Sequence, residues 1–169
     1  MTNTYVYASA YTRTQAVIFM SDNLRNILRE VIRDNGLSPE KLMLQDWDTL
    51  ERGIRSWLLS GHLTKIVIEF FRPGGSVASA RWDIPIGYSG SGVEDDMWVD
   101  KAYLRQLIAK SARPSWDCTY RVLLCTSAGA PDVTGFRDAT YLSTGQLGAR
   151  QAGTVIATGH MTAEVTYWR

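Results

Sequence analysis

LTKIVIEFFRPGGSVASARWDIPI, residues 63–86, carries the clearest structural signal in the chain. Its first nine residues alternate in polarity, which places Ile66, Ile68 and Phe70 on one face of a strand. The RPGG sequence then turns the chain, and Trp82 continues the two-residue period on the way back. The stretch therefore predicts an antiparallel β-hairpin with one buried face.

Apolar stripes at helical spacing lie on both sides of this hairpin. Residues 15–34 and 46–60 each carry one such stripe, and a glycine follows each of them closely. Residues 97–111 predict a third helix with apolar residues on two sides, which is typical of a helix that is covered on more than one face. A strand at 117–126 follows, and TVIATGHMTAEVTYWR, residues 154–169, predicts a terminal hairpin.

The two ends of the chain give weaker patterns. TYVYASAY, residues 4–11, alternates and predicts a short strand. Residues 128–154 follow no period and consist mainly of Gly, Ala, Thr and Ser. A run of this length without regular structure is uncommon inside a compact domain and is often functional. We expect a single domain over residues 1–169, with a core of about 5–127 and a C-terminal arm of about 128–169.

The composition narrows the classes of function. Eighteen basic and 17 acidic residues give a net charge of +1, whereas surfaces that bind nucleic acid usually carry a strong basic excess. No apolar run approaches the roughly 18 residues of a membrane helix, and the first residues lack the charged-then-apolar pattern of a leader, so we expect none. Cys118 and Cys125 fall on opposite faces of a strand, so no bridge joins them. These features predict a cytoplasmic protein that binds neither membrane nor nucleic acid directly.

GYSGSGVEDDMW, residues 87–98, is the most conspicuous candidate site. Glu94, Asp95 and Asp96 would repel a phosphate, and they lack the ligand spacing of a calcium loop. The simplest interpretation is that Asp95 or Asp96 caps the following helix. A small metal- or nucleotide-dependent enzyme that uses these three carboxylates and Asp83 remains an alternative.

Other catalytic signals are weak. His62 and His160 each lie beside a glycine in a predicted turn, without a local Asp or Ser partner. The two cysteines do not form a metal-ligand pair, and no nucleophile elbow is present. We therefore expect no catalytic residue, no metal and no cofactor. An oligomerising domain whose arm swaps onto a neighbouring molecule is a third hypothesis.

The order of these elements resembles that of HORMA domains, and more narrowly that of bacterial HORMA proteins encoded beside cyclic-oligonucleotide synthases in CBASS antiphage operons. Three stretches carry the resemblance: TLERGIRSWLLSGHLTKIVIEFF (49–71), SARWDIPIGYSGSGVEDD (79–96) and the glycine-rich arm that ends in TAEVTYWR (162–169). The resemblance implies an α+β fold in which an antiparallel sheet packs on three main helices, one of them central. It also implies that the C-terminal arm is a mobile safety belt.

The function that the resemblance implies is a switch and not an enzyme. A closure-motif peptide from a partner joins the sheet as an added strand, and the belt locks it in place. The peptide-bound form binds and activates a cyclic-oligonucleotide synthase, and an AAA+ remodelling ATPase reopens the domain.

The resemblance also suggests where the peptide and the ATPase bind. A peptide held between the 97–111 helix and the arm would contact Tyr103, Leu107, Tyr120, Val122 and Tyr141. The polar start of the chain suits a flexible handle for the ATPase, formed by Thr2, Asn3, Thr4 and Tyr5.

Overall fold

The computed structural model describes residues 2–88, 97–111 and 113–169, with side chains from residue 13 onward. A π-helical segment, Leu42–Asp46, leads into the second helix. The other elements, in chain order, are α1 (Thr2–Asp34), α2 (Trp47–Leu59), β1 (Leu63–Phe71), β2 (Ala78–Gly87), β3 (Trp98–Val99), α3 (Lys101–Lys110), β4 (Thr119–Thr126), β5 (Ala149–Ala157) and β6 (Thr162–Trp168).

The strands form one antiparallel sheet in the order β3-β5-β6-β2-β1-β4. The predicted β1–β2 hairpin is confirmed, with Ile68 opposite Trp82. The predicted terminal hairpin is β5–β6, and it pairs with β2 so that Tyr167 lies opposite Trp82. β4 pairs with the other side of β1, where Val122 lies opposite Ile68. The expected α+β class and antiparallel sheet are therefore confirmed.

The helices cover one face of this sheet and enclose the core. Leu24 and Leu28 of α1 and Ile54 of α2 are fully buried there, together with Ile66, Ile68 and Phe70 of β1. This follows from the period-two alternation of β1, since only every second side chain reaches the helical layer. The same alternation sends Lys65, Val67 and Glu69 to the opposite face.

The 97–111 helix was expected to be the central helix, but in the structure α1 takes that position. Helix α1 contacts both α2 and α3 and therefore lies between them. Its buried stripe extends from Ala16 to Ile32, whereas only Leu104 and Leu107 are buried in α3. A long continuous stripe buries more apolar area than a short one, so α1 takes the middle of the helical layer.

Two predicted boundaries are wrong. Residues 4–11 belong to α1 and not to a strand. They continue a helix that its apolar stripe already stabilises, and extending a helix is much easier than nucleating one. The third helix begins only at Lys101, because Trp98–Val99 pairs with β5 as a short strand. Asp100 caps it by accepting a hydrogen bond from the Tyr103 amide at 2.9 Å.

The predicted capping residues Asp95 and Asp96 lie outside the described residues. The same holds for Glu94 and for most of the glycine-rich segment 87–98. Among the helices that the structure describes, none is both long and apolar enough to cross a lipid bilayer.

Candidate functional site

Of the expected C-terminal arm, about 128–169, the second part forms β5 and β6 of the sheet. The irregular segment that connects β4 to β5, residues 127–148, is called the belt from here on, and it begins on the helical side of the sheet. The Trp57 indole N–H of α2 donates a hydrogen bond to the Pro131 carbonyl at 2.7 Å. The Phe136 ring packs against the Trp57 ring with 4.9 Å between their centroids. The first half of the belt is therefore held against α2.

The second half of the belt lies on the opposite face of the sheet. The Arg121 guanidinium of β4 donates to the Thr140 carbonyl, and the Leu142 amide donates to the Glu69 carboxylate at 2.7 Å. Ser143 then exchanges backbone hydrogen bonds with Ser76 and Ala78 at the start of β2. The belt thus passes around the outer edge of β4, from the helical side to the opposite side.

A groove of about 630 Å³ lies between the belt, β4 and the helical layer. In the part of the chain that the structure describes, β4 pairs only with β1, so its other edge keeps a row of unpaired backbone N–H and C=O groups. The walls combine apolar and polar side chains from four segments, among them Leu42, Asp46, Thr49, Leu50, Tyr120, Val122, Phe136 and Arg137. The groove therefore presents an open strand edge beside a partly apolar wall.

Two of the predicted peptide-contacting residues line this groove. Tyr120 and Val122 both lie on its β4 wall, and the Tyr120 hydroxyl donates to the Ser38 carbonyl at 3.0 Å. Tyr141 belongs to the belt but lies on the opposite face of the sheet, with its ring 4.3 Å from the Arg81 guanidinium.

The other two predicted residues, Tyr103 and Leu107, lie far from the groove. The Tyr103 hydroxyl accepts a hydrogen bond from the Gly153 amide of β5 at 3.0 Å, and Leu107 is buried in the core. Three strands separate β5 from β4 in the sheet. The structure therefore places α2, and not α3, at the groove.

Sequence reasoning missed the contribution of α2. Thr49 and Leu50 line the groove, and Gly53 lies against Phe136 of the belt. The sequence contains one sign of this contact, Gly53. A glycine inside an amphipathic helix often marks the close approach of another segment.

The face of the sheet opposite the helices is charged beneath the belt. The buried Arg81 and Asp83 side chains form a two-point ion pair at 2.6 and 3.0 Å, and the Lys65 ammonium lies 3.6 Å from Asp83. The Tyr141 hydroxyl is 2.8 Å from the Cys125 sulfur. Burial raises the pKa of Tyr141 well above its usual range, and the contact with Cys125 raises it further.

These contacts bear on the metal-site alternative. The Asp83 carboxylate is already neutralised by two cations, and its proposed co-ligands Glu94, Asp95 and Asp96 lie outside the described residues. Within residues 2–88, 97–111 and 113–169, no cluster of three or more His, Cys, Asp or Glu side chains has a geometry suited to a metal ion.

Replacing Gly53 by alanine is expected to displace the first half of the belt. A Cβ at this position would lie 2.5 Å from the Phe136 ring, although alanine favours the helix itself by roughly 1 kcal/mol. We expect faster exchange of the Trp57 indole N–H, which donates to the Pro131 carbonyl, without loss of global stability. In a Phe136→Ala background the nearest remaining contact is the Trp57 ring at 3.1 Å, so the same change should be better tolerated. Equal exchange of this indole N–H in the wild type and in Gly53→Ala would contradict the close contact.

Comparison with known proteins supports this architecture. The family model of bacterial HORMA domain 2 matches residues 3–169. A chain of the mitotic checkpoint complex crystal structure superposes with a TM-score of 0.72 at 10% identity, covering 91% of this chain and 98% of that chain. C. elegans HTP-2 bound to the HIM-3 closure motif gives 0.69 at 15% identity, covering 92% and 90%.

A chain of the E. coli MS115-1 CdnC:HORMA-deltaN complex gives a TM-score of 0.56 at 16% identity, covering 89% of this chain and 85% of that chain. The comparison with curated proteins gave no match. At these identities the structural likeness establishes the fold alone. The family model spans nearly the whole sequence, and the sheet agrees with it, so the chain belongs to the bacterial HORMA domain 2 family.

Proposed function

We propose that this protein is a regulatory switch that clasps a closure-motif peptide between the free edge of β4 and the belt. The observation that carries the proposal is the path of the belt, which passes around β4 and encloses a groove beside an unpaired strand edge. HTP-2, which shares the fold, was solved with a closure motif bound. We infer that a peptide of this class would bind in the groove of this chain.

The groove offers both parts of strand-addition binding. The free edge of β4 supplies main-chain hydrogen bonds, and the cavity beside it supplies side-chain selectivity. Side chains of an extended peptide alternate between two faces, so every second one would point toward Leu42, Leu50 and Phe136. The peptide is thus expected to carry apolar residues at alternate positions, which bury their area against this wall.

Selection from a random-peptide display library on the immobilised protein tests the proposal. We expect enrichment of sequences that carry apolar residues at alternate positions. Selected peptides should bind the purified protein in solution. They should fail to bind Val122→Arg, whose longer side chain fills the groove. An absence of enrichment, or equal enrichment on the filled variant, would contradict a peptide site in this groove.

We further propose that the peptide-bound form binds and activates a cyclic-oligonucleotide synthase in cytoplasmic antiphage signalling. The E. coli complex of CdnC with a HORMA protein supports this class of partner. The test is synthase activity measured with the protein alone, with the peptide alone and with both. Stimulation only by the combination is expected, and equal stimulation without peptide would contradict a peptide-dependent switch.

The start of the chain is the proposed contact for an AAA+ remodelling ATPase. Thr2 to Tyr5, the handle expected from the sequence, form the beginning of α1, so the ATPase would have to unwind a helical end. Deleting Thr2 to Thr4 is expected to leave peptide affinity within about twofold, because the groove lies on other elements. The same deletion should abolish ATPase-driven peptide release. An unchanged release rate would contradict the assignment.

A further inference from the structure

Glu69 lies in β1 and is fully buried on the face of the sheet opposite the helices. Its carboxylate has two partners on different parts of the molecule. One oxygen accepts a hydrogen bond from the Arg121 guanidinium of β4 at 2.8 Å. The other accepts from the Leu142 backbone amide of the belt at 2.7 Å. A single carboxylate therefore joins the sheet to the belt.

Arg121 makes a second contact with the same part of the belt. Its Nε donates to Glu69, and its Nη2, which lies 2.8 Å from the same Glu69 oxygen, donates to the Thr140 carbonyl. The ion pair thus binds a backbone acceptor at Thr140 and a backbone donor at Leu142. Both contacts are made to backbone atoms, so they do not depend on the side chains of the belt. They do set which belt residues lie over Glu69 and Arg121.

The surroundings explain why such a contact can hold the belt and still let it leave. A buried carboxylate is strongly unfavourable unless it is paired, so Glu69 and Arg121 remain together with or without the belt. The neighbouring side chains on this face include the paired charges Lys65, Arg81 and Asp83. Lifting the belt from a charged face exposes less apolar surface than lifting it from an apolar core.

We propose that Glu69 and Arg121 are the residues that position the belt, as a latch that holds residues 140–142 in their path across the sheet. The inference deepens the proposed function, because the belt is the segment that would close over a peptide. The latch itself exists in the free protein, so it can be tested without any peptide.

Hydrogen exchange of the peptide-free Glu69→Gln variant tests the latch. Glutamine keeps the size of the side chain and one oxygen acceptor, but it removes the charge that pairs with Arg121. We expect exchange at the Leu142 and Ser143 amides, which donate to Glu69 and to Ser76, to rise about tenfold. Exchange in β5, in β6 and in β2 beyond Ala78 should stay unchanged. Arg121→Lys, which keeps the charge but loses the two-nitrogen contact, should give a smaller increase in the same segment.

Asp117→Asn is the matched control. Asp117 forms an exposed ion pair with Arg72 at 3.1 Å, so the control removes a carboxylate charge away from residues 140–142. Belt exchange in Glu69→Gln no faster than in Asp117→Asn would overturn the latch. A uniform rise over the whole chain would also overturn it, since that pattern reports general destabilisation. A localised rise supports the latch even if no peptide binds the wild type, in which case only the proposed function fails.

Discussion

Replacing Val122 by arginine is expected to weaken binding of a selected peptide by about 100-fold, or about 2.7 kcal/mol. Val122 lies on β4 opposite Ile68, so its side chain points to the helical side of the sheet and into the groove. Arginine would occupy the space beside Leu50 and Phe136 that a peptide side chain needs. A guanidinium covered by a bound peptide at this apolar wall would also lose its hydration without gaining a partner.

Isothermal titration with the selected peptide measures this loss, and thermal unfolding of the variant confirms that it folds. Ile18→Arg is the control, because Ile18 is an exposed apolar residue of α1 that does not line the groove. Val122→Thr, which nearly preserves the shape, should bind with a much smaller loss. Equal affinity of the wild type and a folded Val122→Arg would place the peptide elsewhere.

Replacing Trp82 by alanine is expected to destabilise the protein by about 3–5 kcal/mol. Trp82 is 1% exposed in the centre of the sheet, and its ring packs on Tyr167 of β6 with 5.8 Å between centroids. Its removal leaves a cavity on the helical side of the sheet, where Ile68 of β1 and Tyr167 of β6 lie beside it. Since small domains are stable by only about 5–15 kcal/mol, the loss is a large part of the total.

Urea unfolding measures the change in the free energy of unfolding. Trp116→Ala is the matched control, because the same residue type is 95% exposed at that position. Its effect should stay within about 0.5 kcal/mol. Similar destabilisation in both variants would contradict the position assigned to Trp82 in the core.

The parts of the fold that the sequence predicted are those with a strong hydrophobic period. The β1–β2 hairpin, the terminal hairpin and α2 all follow from alternation or from one apolar stripe. Residues 4–11 were assigned wrongly because their alternation is short. The helix that follows them stabilises the helical conformation more than the local pattern favours a strand.

The belt shows why part of the candidate site could not be predicted. The sequence shows no period over residues 128–154, and residues 127–148 are irregular, whereas residues 149–154 belong to β5. The path of the belt depends on single contacts such as Trp57 with Pro131 and Glu69 with Leu142. Such contacts join residues more than 70 positions apart and leave no local pattern in the sequence.

The assignment of the groove to the 97–111 helix failed for a related reason. Two apolar sides on that helix indicated that it is buried, but they did not indicate which helices or strands pack against it. In the structure α3 contacts α1 and β5, and its Leu104 and Leu107 are buried there. Tyr120 and Val122 were expected to contact a peptide from the layout that the HORMA resemblance implies, and both line the groove. They lie on the same face of β4 because side chains alternate along a strand.

The most direct test of the clasp is hydrogen exchange of the protein with and without a bound closure peptide, resolved to individual amides. A peptide that joins the sheet would pair the free N–H groups of β4, Thr119–Thr126, and would hold belt residues 135–142 over itself. We predict strong new protection at alternate amides of β4 together with slower exchange in that part of the belt. Saturating peptide that leaves the exchange of β4 unchanged would contradict the account.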